Sequence, residues 1–367
     1  MKEVVICAAV CLSGLGDLDQ TWARLMEGRS ALSPGVLPGS LAGWPVAEIA
    51  GIDAPMGSND RLQKLLARLL KELPAVPVEA GLLVSTTKGA PDELLGDGTG
   101  PWSGQPWDLG RDIAAGLGLR GPVSTVSAAC ASGTLAIIDA AQRLSRNESG
   151  SFLVLGIDLL STFVVSGFAR LHALARESCR PFDRNRDGLA LGEGGGALLL
   201  ATKGEARRRN WPVLAAVKAW GVSGDAGHIT APCREATGLL RALDLCTGSG
   251  SHPVGAVNAH GTGTRFNDAM EIKAFRHHLA GQIPVHSVKG AIGHCLGAAG
   301  VIEAALAVKS LGEGRIPPTV GLAEPDPEMV NPAGARPYDL IHPSIISCNS
   351  GFGGINAAVL LQSPEIK

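Results

Sequence analysis

Residues 123–133 read Val-Ser-Thr-Val-Ser-Ala-Ala-Cys-Ala-Ser-Gly, and the fold assignment starts from this segment. Its first residues are typical of a β-strand, and the apolar residues at 134–144 are typical of a helix. Cys130 therefore lies at or near a helix N-terminus, where unpaired N–H groups favour a thiolate over a thiol. The neighbouring side chains are all small, so a bulky group can approach the sulfur. Taken alone, a cysteine in this setting is more often a buried packing residue.

The same order of elements recurs in the second half of the chain. Residues 285–311, like residues 123–144, read as a strand, a small-residue turn and an apolar helix. Glycine turns at 192–196 and 351–354 each lead into a buried strand. This self-similarity predicts two halves of one pattern, joined in the charged stretch 203–209. The predicted halves are residues 1–209, with Cys130, and residues 210–367, with His260, Lys289, His294 and the turn at 351–354.

Strands separated by helices run through the rest of the chain. This alternation predicts an α/β protein with mostly parallel or mixed sheets. A chain of 367 residues also exceeds what one hydrophobic core usually organises. Buried strands are predicted at 4–10, 81–86, 151–156 and 197–201, and amphipathic helices at 18–26 and 61–73.

The composition excludes several classes of protein. Hydrophobic residues make up 45% of the chain and charged residues 18%, which is typical of a globular protein. The net charge of −2 gives no global field for nucleic acid, and the basic run 207–209 is predicted to be a solvated helix end. Every apolar run is too short for membrane insertion, and segment 4–12 is predicted to be a strand rather than a signal peptide.

The eight cysteines show neither zinc-site spacing nor a CxxC pair. In a chain this long they do not resemble a disulfide framework, so we expect a reducing cytoplasm. The glycines at 192–196 lead into a strand rather than a helix, which excludes a dinucleotide-binding loop.

A histidine in a Gly/Thr turn is the second candidate site. Residues 258–264 read Asn-Ala-His-Gly-Thr-Gly-Thr after an apolar run, so His260 can point from a strand end into a cleft. Asp268 and Glu271 follow on the next predicted helix. They can anchor the His260 turn through hydrogen bonds, and a plain charge role at the helix N-terminus is equally compatible with the pattern.

Lys289 and His294 flank a third small-residue turn. Residues 286–300 read His-Ser-Val-Lys-Gly-Ala-Ile-Gly-His-Cys-Leu-Gly-Ala-Ala-Gly. A lysine in so apolar a setting needs a carboxylate partner, and Glu303 is the best candidate. A lone His294 would more often be structural. Here two histidines, a lysine and a cysteine all lie in small-residue turns, a combination that chance rarely produces.

These turns, in this order, resemble those of elongating type II β-ketoacyl-acyl carrier protein synthases. The resemblance extends over residues 4–361 and implies the thiolase fold, an α/β fold of two similar halves in five layers (helix, sheet, helix, sheet, helix). Its motifs are Ala129-Cys130 with Ser132-Gly133, the turn at 260–264, Lys289 with Gly293-His294, Asn-Ser-Gly-Phe-Gly-Gly at 349–354, Arg-Pro-Phe-Asp-Arg at 180–184, Asp187-Gly188 and Gly-Glu-Gly at 192–194.

The resemblance implies a decarboxylative Claisen condensation. Cys130 would accept an acyl chain from a carrier-protein thioester. His260 and His294 would stabilise the enolate that forms when malonyl-ACP loses carbon dioxide. Lys289, paired with Glu303, would set the local field. The product would be a β-ketoacyl-ACP for fatty acid synthesis or for a specialised polyketide or polyene, made without a metal or an organic cofactor.

The resemblance also implies an oxyanion hole, a gate and partners. The N–H groups of Cys130 and Phe352 would form the oxyanion hole. Phe352 and Phe168 are candidates for a gate and the acyl pocket. Arg61 and Arg170 are candidates for docking the acidic acyl carrier protein, although ordinary solvated arginines fit the pattern equally well. We expect a homodimer, or a heterodimer with a synthase-like partner that sets chain length.

Two departures from the family pattern affect chain-length specificity. The family turn usually carries an extra Phe between Ser350 and Gly351, and the stretch 87–121 is shorter than usual. In the family, that stretch helps to shape the acyl pocket and the dimer interface. The strand end Ser-Thr-Thr-Lys-Gly at 85–89 favours a specialised pathway.

Four other functions fit parts of the sequence. A thiolase would use a second cysteine as base, and Cys348 lies in the region where thiolases place theirs. A cysteine hydrolase would leave Lys289 and His294 unexplained. Condensing enzymes that start chains usually have Asn in place of the second histidine, and a non-catalytic partner subunit normally lacks the nucleophile Cys130.

Overall fold

The structure is a computed structural model that describes residues 2–35, 39–89, 105–248, 252–279 and 283–364. Its strands are β1 (Val4–Ser13), β2 (Gly16–Asp17), β3 (Ser33–Pro34), β4 (Pro45–Ala47), β5 (Gly81–Ser85), β6 (Val123–Val126), β7 (Ser151–Asp158), β8 (Leu191–Gly192), β9 (Gly194–Thr202), β10 (Ala215–Gly224), β11 (Ala256–Asn258), β12 (Val285–His286), β13 (Arg315–Ile316), β14 (Tyr338–Asp339), β15 (Ser344–Gly351) and β16 (Ile355–Gln362). Its α-helices are α1 (Leu18–Met26), α2 (Asn59–Lys71), α3 (Pro106–Gly116), α4 (Ser132–Ser145), α5 (Thr162–Arg170), α6 (Lys203–Arg208), α7 (Thr237–Thr247), α8 (Arg265–His278), α9 (Lys289–Ile292) and α10 (Ala299–Glu313).

The two halves of the chain repeat one sheet topology. The first half has the strand order β6-β5-β7-β9-β1, and the second half has the order β12-β11-β15-β16-β10. In each half the first three strands pair in parallel and the last two join antiparallel. The sheets of the two halves join into one continuous sheet, because β1 and β10 pair antiparallel along Val4–Ile6. The predicted duplication is therefore present in the strand order itself.

Helices form the other layers of the fold. Apolar side chains of α2 and α3 cover the outer face of the first sheet, and those of α7 and α8 cover the outer face of the second. Helices α4 and α10 share the largest core cluster, which lies between the two halves of the sheet. Gly133 and Gly300 bring these two helices together, because a Cβ on Gly300 would lie 2.5 Å from the backbone nitrogen of Thr134. This arrangement is the five-layered thiolase fold that the sequence predicts.

The predicted elements match the observed ones closely where both are defined. Helix α1 has the predicted bounds, and a capping box between Asp17 and Gln20 fixes its start. The predicted junction at 209/210 falls between α6 and β10, and its exact position stays a prediction. Residues 90–104 of the shortened stretch 87–121 lie outside the described residues. Among the described helices, none has the length and apolarity needed to cross a bilayer.

The parallel strands of both sheets end on polar residues. Cys130 follows β6, Asp158 ends β7, His260 follows β11 and Lys289 follows β12. Asn349 lies near the end of β15, which runs parallel to β11. Side chains at the carboxyl ends of neighbouring parallel strands meet at one edge of a sheet. The carboxyl-end edges of the two halves lie next to each other beside α4 and α10, where Cys130 contacts His294. The fold thus brings residues from both halves to one point.

Candidate active site

Cys130 lies in a strained turn between β6 and α4. The preceding residue, Ala129, has a left-handed φ of +49°, a conformation that costs a non-glycine residue roughly 1–2 kcal/mol. The Ser132 hydroxyl holds this turn, because it accepts a hydrogen bond from the N–H of Ala128 (2.8 Å) and donates one to the carbonyl of Ala129 (2.5 Å). The strain is thus maintained at the residue next to Cys130, as in sites of other proteins that expose a reactive side chain.

The surroundings of Cys130 oppose the thiolate that its position suggests. Burial raises the pKa of the Cys130 thiol to about 12, and the nearby Lys289 ammonium acts in the opposite direction. Helix α4 begins at Ser132, two residues after Cys130, so the helix N-terminus is close to the sulfur. Burial thus works against the helix-terminus effect, and the sulfur needs a further hydrogen-bond donor.

The His294 imidazole supplies that donor. Its Nε2 lies 2.9 Å from the Cys130 Sγ, and its Nδ1 accepts a hydrogen bond from the N–H of Leu296 (3.3 Å). A neutral imidazole carries one proton, so an occupied acceptor at Nδ1 places that proton on Nε2. His294 therefore donates towards Cys130.

His260 lies edge-on to His294 and has the same tautomer. The ring centroids are 5.2 Å apart and the planes are inclined by 83°. Asn349 Nδ2 lies 3.2 Å from Nδ1 of His260 and donates to Glu303 at 2.8 Å. The Asn349 Oδ1 accepts from the Thr134 hydroxyl, which fixes the orientation of the amide. Nδ1 of His260 is thus an acceptor, and the proton lies on Nε2.

Asn349 links His260 to Glu303, a contact that its sequence motif did not predict. Its partners Thr134, His260 and Glu303 come from three separate segments, 215, 89 and 46 residues away. Its place at the start of the glycine turn was the only signal, and the amide's orientation depends on the packing of both halves.

Lys289 forms the predicted buried ion pair with Glu303. Its Nζ lies 2.5 Å from the Glu303 carboxylate and 2.6 Å from the backbone carbonyl of His260. Burial, and after it the Lys289 charge, hold the pKa of both His260 and His294 well below the usual range. Both imidazoles are therefore neutral hydrogen-bond donors at neutral pH.

Asp268 and Glu271 both accept hydrogen bonds from the His260 turn, which is the first of the two roles that the sequence left open. Asp268 also lies in the first turn of α8. The Glu271 carboxylate accepts from the N–H groups of His260 (2.8 Å) and Gly261 (2.7 Å). The Asp268 carboxylate accepts hydrogen bonds from the N–H groups of Thr262 and Gly263 and from the N–H of Phe182, which lies 86 residues earlier in the sequence. Burial, together with the neighbouring Asp268, raises the pKa of Glu271 to about 8.

A pocket of about 430 Å³ leads to Cys130 and His294. Phe352 and Phe168 both line it, with ring centroids 5.9 Å apart, and Phe352 is 39% exposed. The glycine turn lies against the nucleophile turn, because a Cβ on Gly351 would lie 3.1 Å from the carbonyl of Ala128. The structure therefore brings the predicted gate and oxyanion-hole residues to the same pocket as Cys130.

The prediction that Arg61 docks a partner is wrong. Arg61 is only 4% exposed, and its guanidinium pairs with the buried Glu193 and donates to the carbonyls of Ile49, Ile52 and Ala54. The spacing of leucines and basic residues in α2 does not indicate that Arg61 points inward, because its partner Glu193 lies 132 residues away in the sequence.

Two exposed arginines, Arg170 and Arg265, lie near the pocket. Arg170 is exposed at the end of α5, and the next two residues line the pocket. Arg265, exposed at the start of α8, lines the pocket directly. Sequence reasoning missed Arg265, although its place directly after the His260 turn was a usable signal.

Cys348 lies on the wrong face of β15 to act as a second catalytic base. Alternate residues of a strand point to opposite faces, and Asn349 points towards the histidines. Cys348 packs in the outer core with Val257 and Leu360, and burial raises the pKa of its thiol well above the usual value. This geometry argues against the thiolase alternative.

Cys130, His260 and His294 also bring three possible metal-ligand atoms within 4.8 Å of one another. The nearby Lys289 ammonium and the protons on both Nε2 atoms oppose a cation at this point. The arrangement is better suited to stabilising a negative oxygen.

Comparisons with known proteins agree with this geometry. Residues 98–206 match the family described as Beta-ketoacyl synthase, N-terminal domain, and residues 214–323 match Beta-ketoacyl synthase, C-terminal domain. Nodulation protein E of Rhizobium meliloti (strain 1021) is 33% identical over 364 residues, covering 89% of this chain and 90% of that protein.

Two further relatives cover different shares of the chain. The 3-oxoacyl-[acyl-carrier-protein] synthase 2 of Staphylococcus aureus (strain COL) is 33% identical over 268 residues, covering 69% of this chain and 64% of that protein. A solved structure titled the ishigamide ketosynthase/chain length factor superposes with a TM-score of 0.88 at 25% identity, covering 99% of each chain.

Proposed function

Because the chain belongs to the β-ketoacyl synthase family, we propose that it holds an acyl group on Cys130 and condenses it with a malonyl unit on acyl carrier protein. It is a condensing enzyme of the acyltransferase type, and its relatives support chain elongation in fatty acid or polyketide synthesis. The observation that carries the residue assignment is the 2.9 Å contact between His294 Nε2 and the Cys130 sulfur, with a ring nitrogen of His260 within 4.8 Å of both residues' atoms.

In the first step, the Cys130 sulfur attacks the carbonyl of an acyl thioester. The backbone N–H groups of Cys130 and Phe352 stabilise the oxyanion, and losing one such donor typically costs about 3–4 kcal/mol. The carrier-protein thiolate leaves and takes up the proton that Cys130 loses. The Nε2–H of His294, 2.9 Å from Sγ, offsets part of the cost of a buried thiolate.

In the second step, a malonyl thioester replaces the released carrier protein. The Nε2–H groups of His260 and His294 donate to its thioester oxygen, so carbon dioxide leaves and the electron pair forms an enolate. The enolate carbon attacks the acyl carbonyl on Cys130, a carbon–carbon bond forms, and the Cys130 thiolate leaves. Neutral imidazoles suit this role, since they donate without having to release a proton.

Intact-protein mass spectrometry tests the first step. Incubation with an acyl-ACP should give a single acyl adduct, and that adduct should disappear in Cys130→Ala. Cys295→Ala, which removes another buried thiol next to His294, is the matched control and should keep the adduct. An adduct that persists in Cys130→Ala would overturn the assignment of the nucleophile.

We assign carrier-protein docking to Arg170 and Arg265 at the pocket. Acyl carrier proteins are acidic, and both arginines are exposed. The pairing of a ketosynthase with a chain length factor in a relative supports assembly as a dimer, with a second copy or a synthase-like partner. In the described part of the chain, β6 has β5 as its one neighbour, so an edge is open for pairing. Sedimentation of the purified chain separates these two assemblies.

We place the enzyme in the cytoplasm. All eight cysteines are free thiols, which is typical of a reducing compartment. Fractionation of the producing cells tests the location.

A further inference from the structure

A second buried ion pair lies beside the catalytic cluster. Asp158, at the end of β7, is 1% exposed, and its carboxylate pairs with the Lys88 ammonium at 2.8 Å. The same carboxylate accepts from the Thr86 hydroxyl (2.8 Å), from the N–H and hydroxyl of Thr87 (2.9 and 3.0 Å) and from the N–H of Gly297 (2.7 Å). A buried carboxylate with this many donors fixes the position of each group that it touches.

The bond to Gly297 reaches the turn that carries His294. The adjacent Leu296 donates its own N–H to Nδ1 of His294. Two consecutive N–H groups are therefore held by different partners: the Leu296 N–H by Nδ1 of His294 and the Gly297 N–H by Asp158. A side chain on Gly297 would clash, since a Cβ there would lie 2.7 Å from the nitrogen of Thr87 and 2.8 Å from the Asp158 carboxylate.

Leu296 shows that this turn needs to be held. Its φ is +50°, in the left-handed region that a bulky residue rarely adopts. Such a conformation persists only where the surroundings fix it. The Leu296 side chain is buried, and the Asp158 bond to Gly297 holds the backbone directly after it. If this bond were lost, the strained peptide could relax and the Leu296 N–H could turn away from His294.

Asp158 also reaches the nucleophile turn. Thr87, which donates two hydrogen bonds to Asp158, accepts one at its carbonyl from the Ser127 hydroxyl (3.0 Å). Ser127 lies three residues before Cys130. Both partners of the 2.9 Å contact between Cys130 and His294 are thus tied to one carboxylate.

We propose that Asp158, with its charge balanced by Lys88, is a positioning residue that keeps the His294 proton on Nε2. The carboxylate holds the Gly297 N–H, which keeps the Leu296 N–H on Nδ1 of His294 and leaves Nε2 to donate at the reacting oxygen. Without Asp158, Nδ1 loses its fixed donor and the Nδ1–H tautomer becomes accessible. This role rests on the proposed function of His294 in decarboxylation.

Nitrogen NMR of the full-length protein, labelled with 15N at histidine, tests the proposal, since the ring nitrogen shifts distinguish N–H from bare nitrogen. His294→Ala identifies the His294 signals. We expect the Nε2–H form in the wild type and a mixture with Nδ1–H in Asp158→Asn. Asp139→Asn, which alters a surface carboxylate paired with Arg143, is the control and should leave the wild-type signals unchanged.

Kinetics on the same proteins give the second readout. In Asp158→Asn, release of carbon dioxide from malonyl-ACP should fall by about ten- to a hundredfold, as is common when an orienting partner is lost. The KM for malonyl-ACP should change little, because Asp158 does not line the pocket. A wild-type tautomer and a wild-type rate in Asp158→Asn would overturn the proposal.

Two results distinguish a failure of this proposal from a failure of the proposed function. An Nδ1–H signal for His294 in the wild type overturns the positioning role on its own, even if Asp158→Asn fails to fold. Undiminished decarboxylation in His294→Ala overturns the role of His294 in the reaction, while the tautomer measurement still decides what Asp158 does.

Discussion

The turns that carry His260 and His294 lie side by side but are held in place by different kinds of contact. Asp268 and Glu271, on the helix that directly follows, hold the His260 turn by its backbone N–H groups. The His294 turn is held by Asp158, which lies in the other half of the molecule, 139 residues from Gly297. One turn is therefore built from local sequence and the other from the packing of two halves. The first was within reach of sequence reasoning, and the second was not.

Lys289 joins the two turns, so its removal should have the largest effect. Its ammonium bonds the His260 carbonyl, and the residue itself begins α9, which leads into the His294 turn. Lys289→Ala leaves the Glu303 carboxylate buried without its counterion, which we expect to lower the free energy of unfolding by about 3–5 kcal/mol. Decarboxylation should also be lost.

Denaturant unfolding measures the first effect. The double variant Lys289→Met/Glu303→Gln removes both charges and should recover much of the stability, but not the decarboxylation. If Lys289→Ala unfolds at the same denaturant concentration as the wild type, the pair does not hold the two turns together.

Glu271→Gln should change how the stability of the protein depends on pH. Burial and the neighbouring Asp268 raise the pKa of Glu271 from 4.5 to about 8. The folded protein thus keeps a proton that the unfolded chain releases near its ordinary pKa. Stability from this group is complete below about pH 4 and is lost as the pH rises towards 8. Glu271→Gln cannot ionise, so this part of the pH dependence should disappear.

Unfolding free energies at a series of pH values check this expectation. Glu313→Gln, an exposed position at the end of α10, is the control and should keep the wild-type slope. An unchanged slope in Glu271→Gln would show that the carboxylate is ionised in the folded protein.

Phe352→Ala should separate the two chemical steps with a smaller loss. The substitution keeps the backbone N–H, so acylation of Cys130 should change little. It removes the ring that packs on Phe168, so condensation should slow several-fold and bulkier acyl chains should be accepted. Pre-steady-state acylation and condensation, followed separately with a short and a long acyl-ACP, test this. An equal loss in both steps, with an unaltered chain-length profile, would remove the support for a gate.

Charge reversal of Arg170 and Arg265 should have the smallest effect, because both residues lie outside the two histidine turns. The double variant should raise the KM for ACP substrates a few-fold and leave small acyl thioesters nearly unchanged, since exposed charges act mainly on association. Arg61→Met is the contrast, because it leaves Glu193 buried and unpaired and should lower stability with either substrate. Equal losses on both substrate types in the double variant would point to structural damage.

The same contrast explains what the sequence could predict. Helix α1, the inner strands and the repeat of one pattern follow from local periodicity and are present in the structure. The pairing of Lys289 with Glu303 follows from the cost of a buried charge. The inward turn of Arg61, the orientation of Asn349 and the reach of Asp158 depend on how the halves pack. Local spacing therefore carries no information about them.

The central claim is that both histidines serve decarboxylation while Cys130 alone carries the acyl group. The most direct measurement follows acyl-adduct formation and carbon dioxide release from malonyl-ACP in the same preparations of His260→Ala and His294→Ala. The account predicts that both variants still acylate Cys130 and that carbon dioxide release collapses in both. Carbon dioxide release at the wild-type rate in either variant would contradict it.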